Sequence, residues 1–470
     1  MKRICIAIAA LPLLAGAGQP QWRADSHPDA DGLRKEIAAT PEKSGGIYFA
    51  YPVTADDEVT VPEGFEPVFL THYGRHGSRW CLKDYQYAMA DSVFAFLQRT
   101  GNLTPLGLDV QQRLLRIGQH AKGHAGELSP LGERQHKAIA SRMAARFPSL
   151  FADTTRVEAR SSQVPRCIMS MAAFTERLKE INPSLKVQRH ATPGDMEFIA
   201  YDSPDAYTIG SRDAPWRRME RQMRDSLIDP TRLLASLMVN PAAATDSLVA
   251  TIASTYTPAK GKKATIKEKK DAPKPDRRHM QQQLMKVLHD IAVDIQDVDG
   301  LEDVTLLDLF TPEECFNLWQ MLNLDMYYRH ANAEGNGQAG MNSARHMLQR
   351  LITVADTALA QPGKPEVPEV PVQLHFGHDT HLIRLLALME VEGCSRSEGN
   401  PARYCEAWQD FRVSPMAANL QVVFFRNPQG RVLTLLRHNE QNVSLPIPNA
   451  KEGAPFYEWT ALRKYLVSKL

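Results

Sequence analysis

His76 stands between two arginines in the run Thr71-His72-Tyr73-Gly74-Arg75-His76-Gly77-Ser78-Arg79-Trp80. An imidazole can attack phosphorus as a nucleophile, and a planar guanidinium matches phosphate oxygens two at a time. Arg75, His76 and Arg79 therefore point to phosphoryl transfer through a histidine. Arginines and histidines behind a strand are ordinarily solvated loop residues, so the reading needs support from other parts of the chain.

Two further stretches supply it. Arg160-Ser161-Ser162-Gln163-Val164-Pro165-Arg166-Cys167 reads as a loop that opens a helix, with Arg166 in the first turn, where free amides already favour anions. Gly377-His378-Asp379-Thr380 follows the alternating run Val372-Gln373-Leu374-His375-Phe376, a strand pattern. Phosphate monoester hydrolysis needs an in-line nucleophile, cations on the equatorial oxygens and a proton for the departing alkoxide. His76 offers the first, provided it is neutral. Arg75, Arg79, Arg166 and His378 offer the second, and Asp379 the third. Asp379 is also a natural helix cap.

These residues need elements to position them. Val68-Phe69-Leu70 reads as a buried strand running into Gly74 and Gly77, where a tight turn is expected because glycine tolerates unusual backbone angles. A strand is expected over about 156–159, and helices over 85–98, within 103–118, and from Ser129-Pro130, where serine caps and proline suits the first helical position. Helices also read over 280–295, 312–328 and 342–359, and after Asp379. Residues 419–425 and 431–436 read as a closing hairpin or edge strands. The fold expected is α/β, a doubly wound, mostly parallel sheet flanked by helices. If the strands before His76 and His378 are parallel neighbours, both turns emerge on the same sheet edge, where sites form in open α/β sheets.

Along the chain, Lys2 and Arg3 precede an apolar stretch, Ile4 to Ala17, that reads as a signal peptide. The protein is thus expected to be exported, to the periplasm or beyond, with no membrane span. Residues 18–66 read as an irregular leader, rich in Pro, Gly and Asp. Residues 67–200 and 345–470 form the expected α/β core, and 201–344 an inserted helical cap. A basic run from Lys260 to Arg278 reads as a solvated loop. Five cysteines follow the signal: Cys81, Cys167, Cys315, Cys394 and Cys405. Export permits disulfides, and Cys394 with Cys405 is the first pairing to expect. With 470 residues, 43% hydrophobic, and a formal net charge of +1, nothing global suggests nucleic acid. The partner expected is a small phosphate ester, and the chemistry asks for no cofactor.

Arg75-His76-Gly77-Ser78-Arg79, the distal Arg166 and the His378-Asp379 pair resemble the histidine acid phosphatases, the larger branch of the histidine phosphatase superfamily. Carried across, the resemblance implies that His76 forms a phosphohistidine. It also implies that Arg75, Arg79, Arg166 and His378 bind the phosphate, and that Asp379 protonates the leaving group. Ser161 to Cys167, with Ala172-Ala173-Phe174, and Leu131-Gly132-Glu133-Arg134-Gln135 are similar to stretches of the multiple inositol polyphosphate phosphatases. That branch usually has His-Ala-Glu at the distal motif. His378-Asp379-Thr380 instead matches the acid phosphatases and several phytases, and His381 stands where bacterial phytases often have asparagine. The substrate implied is an inositol polyphosphate, or varied small esters if the specificity is broad. Two other classes compete. One is an exported polyanion-binding protein with a dead site. The other is a metal centre built from His72, His76, His375, His378 and His381, which lacks cysteine or paired carboxylate ligands.

Overall fold

The computed structural model describes residues 29–52, 59–246, 276–336, 338–360 and 369–470. The stretch read as a signal peptide and most of the basic run lie outside them. Among the described residues one eight-stranded sheet organises the chain, in the order β3-β2-β4-β1-β5-β6-β7, with β8 also pairing β6. The strands are β1 (Glu66–Arg75), β2 (Arg156–Ser161), β3 (Lys186–His190), β4 (Val372–Gly377), β5 (Asn419–Arg426), β6 (Val432–His438), β7 (Gln441–Asn442) and β8 (Phe456–Glu458). The half that carries the motifs, β3-β2-β4-β1, is parallel. β5 closes it antiparallel to β1 and turns into β6 as the expected hairpin. The α/β architecture with flanking helices is the one expected from sequence.

Alternation along the strands separates two apolar layers. Leu70, Leu374, Phe376, Val423 and Phe425 face the helices Pro130–Arg146 and Pro165–Ile181. Phe69, Tyr73, Val422 and Phe424 face the other way, into a layer that also takes in Met285, Leu288, Trp319 and Leu324. The helices between 201 and 344 thus share apolar packing with the sheet. Within that stretch the described residues form helices, chiefly Trp216–Leu227, Arg277–Asp294 and Pro312–His330. Arg277 and Arg278, the described end of the basic run, lie on one of them and bond Asp246 and the carbonyl of Asp225.

Local signals explain the helix starts. The Ser129 hydroxyl accepts from the Gly132 amide at 3.2 Å, Pro130 takes the first helical position, and Ile139, Met143 and Phe147 form a buried stripe.

Two expectations need correction. The leader is not irregular throughout: Asp29 caps a helix over Ala30–Ala39 that buries Leu33 and Ile37, one turn apart, in the larger core. Composition averaged over some fifty residues hides so short an amphipathic turn pattern. Cys394 and Cys405 are not bridged. All five described cysteines are buried free thiols, and the Cys394 sulfur lies 3.6 Å from Nδ1 of His438. Among the described residues no helix is long and apolar enough to cross a membrane.

Candidate active site

β1 and β4 are parallel neighbours in register, with Arg75 opposite Gly377, and β2 pairs the other side of β4, with Ser161 opposite Phe376. Three adjacent strands therefore end on one edge. β1 delivers Arg75 and His76, β4 delivers His378 and Asp379, and β2 leads into the helix Pro165–Ile181, which carries Arg166 in its first turn. This is the edge that the strand directions require.

Glycine serves this edge by closeness more than by unusual angles. Gly74 is still in β1, and neither it nor Gly77 has a positive φ. A Cβ on Gly77 would stand 2.6 Å from the Gly132 carbonyl oxygen, and one on Gly377 would stand 2.1 Å from the Tyr73 hydroxyl. The loop packs backbone to backbone on the helix Pro130–Arg146.

His76 is buried, with 2% of its surface exposed. Its Nδ1 lies 2.9 Å from the Gly77 carbonyl, which can only accept. The Nδ1–H bond fixes the tautomer and leaves the Nε2 lone pair for chemistry. Burial lowers the His76 pKa well below the ordinary value, and Arg75, Arg166, Arg79 and His378 add to it. The three arginines and the second histidine named from sequence thus act on the same imidazole. The rings of His76 and His378 stand edge to face, 5.9 Å apart. Burial, then Arg166, brings His378 down to about 4, and Nε2 of His378 lies 3.1 Å from the Ser162 hydroxyl.

The guanidinium groups are held from behind. Nη1 of Arg75 donates to the carbonyls of Ile47 and, at 2.7 Å, Ser414. Arg79 donates to the Trp80 carbonyl at 2.8 Å and lies 5.1 Å from the centre of the Tyr48 ring. The Nε groups of Arg75, Arg79 and Arg166 are buried without a protein acceptor. Three guanidinium groups whose charge reaches one imidazole suit an anion with several oxygens.

Asp379 occupies the first position of the helix Asp379–Leu388. Its Oδ1 accepts from the Thr380 amide at 2.7 Å, and its Oδ2 pairs with Nη2 of Arg75 at 3.0 Å. Burial pushes its carboxyl up, but Arg75, His378, the Thr380 amide and Arg79 outweigh burial and hold it below the usual carboxylate range. Asp379 is thus not the cap residue, a place that His378 takes, and each of its carboxylate oxygens has a neighbour, Oδ1 the Thr380 amide and Oδ2 Arg75.

Other partners carried weaker signals or none. The Ser78 hydroxyl donates to Asp297 at 2.6 Å, and Gln135 bonds both the Ser78 amide and its hydroxyl. Gly132 and Gln135 both lie in the Leu131 to Gln135 stretch singled out from sequence, and their contacts explain it. Tyr48 and Ile47, by contrast, come from the leader and have no motif around them. The alternative metal set does not assemble. His72 and His375 are buried in the sheet, where the His375 Nδ1–H donates to the His72 carbonyl. Among the described residues no three His, Cys, Asp or Glu side chains are grouped to hold a metal ion.

Comparison with known proteins agrees with this geometry. Residues 74–201 match the family model of the histidine phosphatase superfamily (branch 2). The fold is similar to that of a Bifidobacterium longum multiple inositol polyphosphate phosphatase. In that protein's complex with inositol hexasulfate the TM-score is 0.70 at 16% identity, over 90% of this chain and 97% of the other. In its phosphate complex the TM-score is 0.69 at 17% identity, over 91% and 98%. A phytase from D. castellii is similar at TM-score 0.56 and 14% identity, over 91% and 85%. Identities this low speak for the fold alone. No curated protein matches the sequence.

Proposed function

We propose, for a chain whose residues 74–201 are those of a branch 2 histidine phosphatase, that it hydrolyses phosphate monoesters through a phosphohistidine on His76. The observation that carries this reading is the meeting of one neutral, buried imidazole with Arg75, Arg79, Arg166 and His378. The phosphate enters among these groups and takes up the unpartnered guanidinium donors. Nε2 of His76 attacks phosphorus in line, and the bond from phosphorus to the ester oxygen breaks. The departing alkoxide takes a proton from Asp379. The Asp379 carboxylate then accepts a proton from the water that attacks the phosphohistidine, and inorganic phosphate leaves with His76 restored. The cations stabilise charge on the equatorial oxygens throughout.

The substrate we propose is an inositol polyphosphate. The likeness of the fold to a protein solved with inositol hexasulfate supports this, as do the sequence stretches shared with that group. Export is part of the proposal and is supported by Lys2, Arg3 and the apolar run to Ala17. The test is phosphate release from inositol hexakisphosphate, a sugar phosphate and p-nitrophenyl phosphate, with His76→Ala alongside. Turnover that prefers the inositol ester and vanishes in the variant is expected. Equal rates on all three would replace the inositol reading with a broad-specificity acid phosphatase. Residual turnover in the variant would refute the nucleophile.

A further inference from the structure

The two carbonyls that hold Arg75 need an explanation of their own. Ile47 and Ser414 are far apart in sequence, and neither belongs to the sheet. Asp410 reaches Ser414 and the residue before Ile47. The Ser414 amide donates to the Asp410 carbonyl at 2.8 Å, closing the turn after the short helix Asp410–Val413. On the other side the Asp410 carboxylate lies against Gly46, where an added Cβ would stand 2.2 Å from Oδ2. Gly46 has φ 57° and ψ −119°, so both the space and the backbone angle call for glycine. The carboxylate is itself anchored. Oδ1 accepts from the Trp319 indole at 2.9 Å and from the Phe411 amide at 2.9 Å, while the Asp410 amide donates to Asn323 at 2.8 Å. Trp319 and Asn323 lie one turn apart on the helix Pro312–His330. Asp410 is fully buried.

We propose that Asp410 is a positioning residue for Arg75: it ties the Gly46-Ile47 turn to Ser414 and so fixes the two carbonyls that aim the guanidinium. The inference rests on the phosphatase reading. It adds that the leader and the helix Pro312–His330 are both needed to set the phosphate clamp. A role confined to packing would change stability and leave anion affinity alone.

The experiment measures inhibition by inorganic phosphate, with p-nitrophenyl phosphate as the reporter, in Asp410→Asn, Arg75→Lys and the double variant, beside thermal unfolding of each. The expected result is an inhibition constant raised about tenfold in Asp410→Asn, with KM rising in step. In the double variant the losses should be less than multiplicative, because both act through one guanidinium. Trp319→Phe, which removes one anchor of the carboxylate, should raise the constant about threefold and decides the matter if Asp410→Asn does not fold. A folded variant with unchanged phosphate inhibition, or fully multiplicative losses, overturns the inference while leaving the phosphatase reading intact. A wild-type protein that turns over no ester overturns both.

Discussion

At the scale of single residues, the site sets two titrating groups apart. Burial and the guanidinium groups of Arg75, Arg166 and Arg79 keep His76 neutral well below its ordinary range, while Asp379 is ionised beside Arg75. Protonated Asp379 is the form that can give its proton to an alkoxide. Its low pKa in the free protein therefore makes catalysis fall as pH rises, and a phosphate dianion arriving beside it pushes that pKa up. His76 stays a nucleophile in acid because its own pKa is lower still than the ordinary imidazole value. Turnover of alkyl phosphates should accordingly be greatest in mildly acidic buffer and decline toward alkaline pH. A profile that is level across this range speaks against Asp379 as the acid. The same role sets the response to Asp379→Asn. An alkyl phosphate should lose about 10²-fold or more in rate, the contribution typical of a general acid. An aryl phosphate, whose leaving group needs little protonation, should lose far less. Equal losses would mean that Asp379 only positions Arg75.

At the scale of elements, three parallel strand ends and one close backbone contact assemble the site. The loop after β1 lies on the helix Pro130–Arg146 with no room for a side chain at Gly77. Gly77→Ala must therefore move either the loop or the helix. Chemical denaturation should show a loss of about 1–3 kcal/mol, the usual range for overpacking. Turnover should fall with it, because His76 and Ser78 flank the displaced residue. Full stability and activity in this variant would show that the contact is dispensable. The strand patterns, the Ser129-Pro130 helix start and the strand-to-helix turns at His76 and His378 were legible because each is a local signal with a local cause. The helix Ala30–Ala39 was not, since its two buried side chains are outnumbered by the turn-forming residues around them. The glycines of β1 and its loop were identified, but their reason was not. A sequence shows that a residue has no side chain, and only the neighbour across the gap shows why.

At the scale of the whole molecule, acid works against the fold even as it favours the chemistry. Burial brings His136, His289, His375 and His381 down to about 3, and His438 to about 4. Each of these binds a proton in the unfolded chain below its ordinary value of about 6.5 but stays neutral in the fold, so stability is lost as pH falls. Burial moves several carboxyls the opposite way, among them Asp294 to about 6, Asp410 to about 7, and Asp297 well up. Those protonate in the fold first and so favour it in acid, but the histidines outnumber them. Tm should therefore fall by at least about 5 °C between about pH 7 and about pH 4.5. A Tm that rises over that interval would mean that the buried carboxyls dominate. Activity and stability then pull in opposite directions on the acid side.

The sequence by itself determined the chemistry on offer and the elements that carry it, because residue type fixes reactivity and hydrophobic period fixes helix or strand. It put His76 and His378 at two strand-to-helix turns and Arg166 in the first turn of a helix. Tertiary structure decided what no local pattern encodes: that β2, β4 and β1 lie side by side, that Ile47, Tyr48 and Ser414 close behind the arginines, and that Cys394 and Cys405 remain apart. These depend on contacts beyond any local window, from Arg75 with Ile47, 28 positions away, to Arg75 with Ser414, 339 positions away, and their energies are set by the shared core and leave no mark on the letters around each one.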